Sequence, residues 1–521
     1  MTTIARNVLR LAAAAAFVLS YTACDNGGGD ADSGPDADTD SGADAGPDGG
    51  GQAFEIDPQR IYDDVAWLSD DAREGREAGT AGNQAALDYV AAAFAAMGVA
   101  PAGDGEGYYD AFTYPEWRET AAPSLVVDGE AAVAGTDYDV LRYSPSGGGE
   151  GEIVFVGFAM IVPPFDPADY PDCPYPPEGV DELAGLDLAG NTVLKFSGVP
   201  LGDASLLTDC PAQSSAAALE EAGVAALLAV HDYTWPFDEV SAGATLLWNG
   251  DYAMPMMYLS RSFAETLVPD LHDRYDAILE WQAASSATGH AVSVSVEAAV
   301  ADNEIANVLG VVPGTSPELG DEVVYVGGHI DHVGRELGSD AIYNGADDNA
   351  SGTAVMMEIA RGVAAIPDGP ARTIVFAAWN AEESGLFGSC AYAADPHYPM
   401  ADTLAMLNLD AVGAGSGTGA YLISGGDDQS LWLSTLMGAS AAAQGLEYGI
   451  SATPHLESSD HTCFFSEGVA AMTMQTLGNH TYTHTQWDDL DAINPADLEA
   501  AARLTWAAIR PLAEGTEGDY E

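Results

Sequence analysis

The histidines and acidic residues of the second half of this chain stand where short apolar runs end. After Val323-Val-Tyr-Val comes Gly327-Gly-His-Ile-Asp-His, and a little later Asn344-Gly-Ala-Asp-Asp-Asn-Ala-Ser-Gly. After Thr373-Ile-Val-Phe-Ala-Ala comes Trp379-Asn-Ala-Glu-Glu-Ser-Gly, after Leu404-Ala-Met-Leu comes Asn408-Leu-Asp, and near the end comes Tyr482-Thr-His-Thr-Gln-Trp-Asp. Each piece alone is weak. A lone histidine is more often a structural hydrogen-bonder than a ligand, and an Asp-Asp pair is more often a helix cap or a solvated feature. Together they converge from several run ends, which no structural need explains. Two histidines and three carboxylates suit two zinc ions that share one carboxylate.

The elements that must position such a set are legible in the same stretch. From Asn307 onward, apolar runs of buried-strand type alternate with helical stretches, among them Gly352 to Ile366 and Ser430 to Gln444. That alternation predicts a largely parallel sheet between helices, an α/β fold, whose functional groups gather beyond the C-terminal strand ends. Before it, residues 123–299 change texture. Short β-rich runs, Gly151-Glu-Ile-Val-Phe-Val-Gly and Asn191-Thr-Val-Leu-Lys-Phe, are punctuated by proline and glycine, which predicts a separate β-rich or small α/β domain. Earlier still, Asn83 to Phe94 has helical spacing and Gly98 marks its end.

The motifs in this order resemble the co-catalytic di-zinc aminopeptidases, a family that includes secreted bacterial leucyl aminopeptidases and, more distantly, the glutamate carboxypeptidases and the transferrin receptor. The likeness covers roughly residues 57 to 515, and Gly75-Arg-Glu-Ala-Gly-Thr-Ala-Gly is similar to the family's opening segment. It implies a phosphorylase/hydrolase-like sandwich formed by residues 54–122 and 300–515, interrupted by a protease-associated domain at 123–299. It implies that His329 and Asp410 hold one zinc, Glu383 and His484 the other, and that Asp347 bridges them. Glu382 is implied as the general base and Asp331 as the carboxylate behind His329. Ser459-Asp460-His461 resembles a landmark lining the site. His332, His455 and His480 stay outside the ligand set. A cis peptide is expected between Asp347 and Asp348. The family often places a tyrosine near the metals as oxyanion donor; here the corresponding stretch reads His455-Leu-Glu-Ser, leaving His455 as the candidate.

The implied activity is removal of residues from the N-terminus of peptides or proteins. A carboxypeptidase, which would need a basic pocket from scarce residues such as Arg335 and Arg372, is one alternative. A one-zinc glutaminyl cyclase and a non-catalytic receptor are the others; the intact ligand set speaks against both.

Composition narrows the setting. The chain has 521 residues and a formal net charge of −66, from 81 acidic and 15 basic residues. Such a surface repels nucleic-acid phosphates and anionic lipid, so neither is an expected partner. Lys195 is the only lysine. A salty medium that screens self-repulsion and a plain acidic bias of the genome account for this equally well. Residues 1–23 read as an export signal: Arg6 and Arg10, the apolar run Leu11 to Leu19, then Thr22-Ala23-Cys24. Cys24 resembles a bacterial lipoprotein site, so the protein is expected in the cell envelope on a lipid anchor; simple secretion with an incidental Cys24 is the alternative. Residues 24–53, rich in Asp, Gly, Ala and Ser, read as a disordered tether. Cys173 and Cys210 are candidates for a disulfide, while Cys390 and Cys463 read as small buried residues.

Overall fold

The computed structural model describes residues 54–517, apart from 142–143, 172, 199, 201–209, 213–214, 234–252, 283, 336–340, 416–420, 425–428, 451–458, 478–479 and 481. The export signal, Cys24, the tether and His455 lie outside the described residues.

The chain enters through two capped helices. Asp57 accepts from the Gln59 and Arg60 amides at the start of α1 (Pro58–Leu68). Thr80 caps α2 (Ala81–Met97), which ends on the left-handed Gly98. The ribbon strand β1 (Tyr109–Val127) follows, then β2 (Gly147–Phe155), β3 (Thr192–Phe196), β4 (Ala226–Val230), β5 (Met256–Leu259) and the long β6 (Ser286–Val312). The rest alternates: β7 (Val323–His329), α3 (Gly352–Ala364), β8 (Thr373–Trp379), α4 (Phe387–Ala394), β9 (Thr403–Leu409), β10 (Tyr421–Ser424), α5 (Leu431–Gln444), β11 (Tyr448–Ile450), α6 (His461–Ser466), β12 (Ala470–Thr476) and α7 (Pro495–Glu514).

One sheet runs in the order β11-β10-β12-β9-β7-β8-β6-β2-β3-β4-β5. Within it β8, β7, β9 and β12 are parallel neighbours, while β6 and β10 join antiparallel. All residues of β7 and β8 are buried, as expected of central parallel strands covered on both faces. Helices α1, α2, α3, α5 and α7 pack one face through residues such as Ile61, Phe94, Met356, Met437 and Leu504. Helices α4 and α6 pack the other through Tyr392 and Phe464, against Tyr325, Trp379 and Met406.

A second pair of cores draws on the stretch between Leu125 and Val296, with Phe155, Phe196, Leu228 and Met257 at its centre. Its strands β2, β3, β4 and β5 run parallel, and β2 and β3 carry the apolar runs noted above. The antiparallel ribbon of β1 and β6 leads into and out of it.

The sulfur pairing differs in part from expectation. Cys173 and Cys210 are bonded, with Cα atoms 5.0 Å apart. Cys390 and Cys463 are bonded too, rather than being free buried thiols. Helices α4 and α6 lie side by side and bring these Cα atoms within 4.9 Å, a proximity of 73-residue separation that only the fold creates.

Candidate metal centre

The C-terminal ends of β7, β8 and β9 deliver the predicted side chains to one buried spot. His329 ends β7, Glu382 and Glu383 follow β8, Asp410 follows β9, and His484 arrives from the late loop. His484 itself, and Ala381 and Ala411 beside the others, have left-handed φ values of 57°, 56° and 52°. Such backbone costs roughly 1–3 kcal/mol at each position and persists where surrounding bonds over-determine it.

Asp348, not Asp347, stands at the centre. Its Oδ1 lies 3.2 Å from His329 Nε2 and its Oδ2 3.0 Å from His484 Nε2. His329 Nε2 is also 3.5 Å from Asp410 Oδ1, and His484 Nε2 is 2.9 Å from Glu383 Oε2. Two nests of donors therefore meet at one carboxylate: His329, Asp348 and Asp410 on one side, Asp348, Glu383 and His484 on the other, with His332 adjoining. The expected cis peptide is likewise one bond further on, between Asp348 and Asn349.

Asp347 turns away from this spot and is tied up elsewhere. Its Oδ2 pairs with His480 Nδ1 at 2.7 Å, and its Oδ1 accepts from the Gly413 and Ala414 amides at 2.8 Å each. The rest of the motif is stitched to the same neighbour loop. Asn349 donates to Leu409 O and accepts from Ala411 N, and Ser351 Oγ accepts from Val412 N. Gly352 lets α3 begin here, since a Cβ on it would sit 2.2 Å from Leu409 O.

The residues behind the donors also depart from expectation. His329 Nδ1 faces the Asp331 carbonyl oxygen at 3.2 Å, while the Asp331 carboxylate is 4.0 Å away. That carboxylate accepts instead from the Glu382 and Glu383 amides, so it fixes the turn that presents both glutamates. Ser459 Oγ donates to Asp410 Oδ2 at 2.6 Å and accepts from Asn408 Nδ2. Two groups escaped the sequence reading. Asp488 accepts from the amides of both Asp347 and Asp348, at 2.7 and 3.0 Å. Arg76, fully buried, donates to the carbonyls of Leu68, Ile330, Asn344 and Gly345. Its only signals were an arginine within the opening segment and an acid four residues after His484.

Crowded buried acids perturb one another. Burial pushes Glu382 well above the usual carboxylate range, opposed by His329 and reinforced by the charges of Glu383, Asp460 and Asp410. Burial likewise raises Asp460 to about 7 and Asp331 to about 6. For Asp348 burial acts upward too, but its bonds to His329 and His484 prevail and hold it well below its usual range. His484 rises despite burial, because Glu383 and Asp348 favour its cation, and its Nδ1 has no hydrogen-bonding partner among the described residues. Buried imidazoles and carboxylates aimed at one another across a shared Asp, with one arginine beneath, are a donor set that fits divalent cations.

The donors thus gather at the C-terminal edge of a largely parallel sheet between helices, an α/β fold. Residues 307–509 match the model of Peptidase family M28. Among curated proteins, aminopeptidase YwaD of Bacillus subtilis is 30% identical over 197 residues, which span 36% of this chain and 40% of that protein. The glutamate carboxypeptidase 2 homolog of Caenorhabditis elegans is 38% identical over 105 residues, spanning 19% of this chain and 12% of that protein. The chain thus spans less than half the length of these relatives. Among the solved structures that share the fold are two aminopeptidases. The zinc aminopeptidase BSAP of Bacillus subtilis aligns at TM-score 0.62 and 18% identity, covering 90% of this chain and 98% of that one. An aminopeptidase from Aneurinibacillus sp. strain AM-1 aligns at 0.58 and 21%, covering 88% and 94%.

Proposed function

We propose that the protein is a zinc aminopeptidase that binds two ions: one between His329, Asp410 and Asp348 Oδ1, the other between His484, Glu383 and Asp348 Oδ2. The observation that carries this reading is the single carboxylate whose two oxygens face two different histidines, at 3.2 and 3.0 Å. Bound there, two zinc ions would lower the pKa of a shared water and polarise the scissile carbonyl.

The chain's own residues handle the proton. Glu382 borders the first nest, its Oε2 4.0 Å from His329 Nε2, and makes no closer contact with a histidine among the described residues. With cations in the two nests, whose charge would oppose the upward push of burial and of the neighbouring acids, it would take the water's proton and return it to the departing amine. Its neighbour Glu383 is engaged by His484 and His332. Asp331 holds both backbones, so the two glutamates keep their separate directions.

The carboxypeptidase alternative loses its cations. Arg372 lies just before β8, beyond the opposite end of the strand, paired with Glu322 and Glu517. Arg335 pairs with Glu74, and the Arg76 guanidinium is committed to backbone carbonyls. A free amine, not a carboxylate, suits this acidic surround. Purified protein should lose peptide hydrolysis on chelation, recover it with zinc, and cleave free but not N-acetylated peptides. Equal cleavage of both would remove the aminopeptidase reading.

We also propose that the stretch 123–299 is an inserted protease-associated domain and that the protein is exported, anchored through acylated Cys24. The separate cores and the two disulfides support these readings, since disulfides persist in oxidising compartments. Labelled fatty acid should enter the wild-type protein in a bacterial host and not Cys24→Ser.

A further inference from the structure

His332 closes the sequence His329-Ile-Asp-His and is fully buried beside the second nest. Its ring has almost no freedom. A Cβ on Gly345 would lie 2.5 Å from both Cγ and Cδ2, and the His484 ring stands across it, with centroids 5.2 Å apart at 66°. The His332 amide donates to Arg76 O at 3.3 Å. Held in this way, Nδ1 lies 2.7 Å from Glu383 Oε1, while Nε2 has no partner among the described residues.

The two oxygens of Glu383 are therefore divided. Oε1 belongs to His332 and Oε2 faces His484 Nε2 at 2.9 Å. A glutamate without such a hold can meet a cation through either oxygen or both. His332 is itself poorly placed as a ligand. Its Nδ1 is 4.0 Å from Asp348 Oδ2, against 3.0 Å for His484 Nε2. Neighbouring donors on a tetrahedral zinc, with bonds near 2.0–2.1 Å, stand about 3.3 Å apart.

We infer that His332 is a positioning residue: its Nδ1–H donates to Glu383 Oε1, so that only Oε2 is presented to the cation shared with His484 and Asp348. This rests on the two-zinc reading above. One-oxygen binding by Glu383 would leave a coordination position on the second ion for water or substrate. Partners that orient a ligand in this way typically change metal affinity by about 10- to 100-fold.

The test uses the full chain as wild type, His332→Ala, His332→Asn and His332→Gln. An Asn side chain can place an N–H near the position of Nδ1, whereas Gln reaches further, toward that of Nε2. Zinc per chain is measured against graded chelator, and thermal unfolding of the zinc-free proteins shows that each variant folds. Wild type should hold two zincs. His332→Ala should hold one as tightly as wild type and the second about 10- to 100-fold more weakly, and Asn should recover most of that loss while Gln does not. If the Ala variant does not fold, the Asn and Gln pair gives the same contrast. A second zinc held equally tightly by all variants would overturn the inference and leave the two-zinc reading intact. An Asn variant as weak as Gln would show that donation to Oε1 is not what matters and would overturn it too. Wild type that binds no zinc would instead overturn the two-zinc reading itself.

Discussion

Asp347 and Asp348 are adjacent and chemically identical, yet the structure assigns them opposite work, so replacing each by Asn separates the two roles. Asp348→Asn removes a carboxylate whose oxygens face both histidines, and it should cost the protein both zincs under chelation that leaves wild type loaded. Asp347→Asn keeps an oxygen for the Gly413 and Ala414 amides but loses the charged bond to His480. Hydrogen bonds to charged groups are worth about 1.5–3 kcal/mol. A second route gives a similar figure. Burial works to lower the His480 pKa, but the Asp347 bond outweighs it and raises the group from 6.5 to about 9. A shift of that size corresponds to about 3 kcal/mol. Since the folded value lies above the unfolded one, this stability is complete below pH 6.5 and is lost as pH rises through about 9. Urea unfolding of zinc-free protein should therefore show a deficit of about 2–3 kcal/mol for Asp347→Asn at pH 6 that shrinks by pH 9.5. Zinc content should stay near two. If Asp347→Asn lost both zincs while unfolding like wild type, the assignment would be reversed.

Three further outcomes follow from other parts of the molecule. Glu382→Gln should lower peptide hydrolysis by about a hundred- to ten-thousand-fold with zinc content unchanged, measured by steady-state kinetics beside metal analysis; loss of zinc would make Glu382 a ligand instead. Replacing Cys390 and Cys463 together by Ser should destabilise the protein by up to about 4 kcal/mol, the chain-entropy value for a closed loop of that length, read as a lowered unfolding midpoint. Lys195 is buried and its pKa is pulled down by burial from 10.5 to about 8, with Glu182 acting in the opposite direction. Charging it therefore opposes folding at neutral pH, so Lys195→Met should stabilise by about 3 kcal/mol at pH 7 and by nothing above pH 10.5. A variant less stable than wild type at both values would refute this account of Lys195.

Much of the fold was legible because it rests on local patterns. Runs such as Val323-Val-Tyr-Val and Thr373-Ile-Val-Phe are too apolar for anything but buried strands, and Gly98 ends its helix in the left-handed backbone that glycine favours. The polar residues after those strands read as a site for the same reason. What stayed hidden depends on register and on distance. Whether Asp347 or Asp348 faces the histidines is decided by one peptide's orientation in a loop, and the letters Asp-Asp carry no trace of it. Asp331 was read as the carboxylate behind His329, but it reaches instead to a turn 51 residues away. The Cys390–Cys463 bond depends on two helices meeting above the sheet.

The same contacts explain how five strand-end and loop segments make one rigid centre. Asp331, after β7, holds the backbone of the turn after β8. Asp347, before α3, holds the loop after β9 through Gly413 and Ala414. Asp488, from the late loop that carries His484, holds Asp347 and Asp348 in turn. Ser459 fixes Asp410, and the disulfide joins the helix after Glu383 to the helix after Ser459. Glu382, Glu383, Asp348 and Asp410 are thus each held by a different segment from the one that bears them, so their positions follow from the packing of the sheet rather than from the stiffness of their own loops. The electrostatic consequence is less favourable. Glu382, Asp460, Asp331 and Asp488 are buried together, and burial raises the pKa of each. Arg76 gives only partial relief: its guanidinium stays charged near neutral pH, although burial lowers its pKa to about 10, but it is one cation among several acids. A frame that forces acids together so firmly leaves their repulsion to be neutralised by protons or by cations. Binding free energy from divalent ions is then partly folding free energy, and the centre is one that metal both uses and completes.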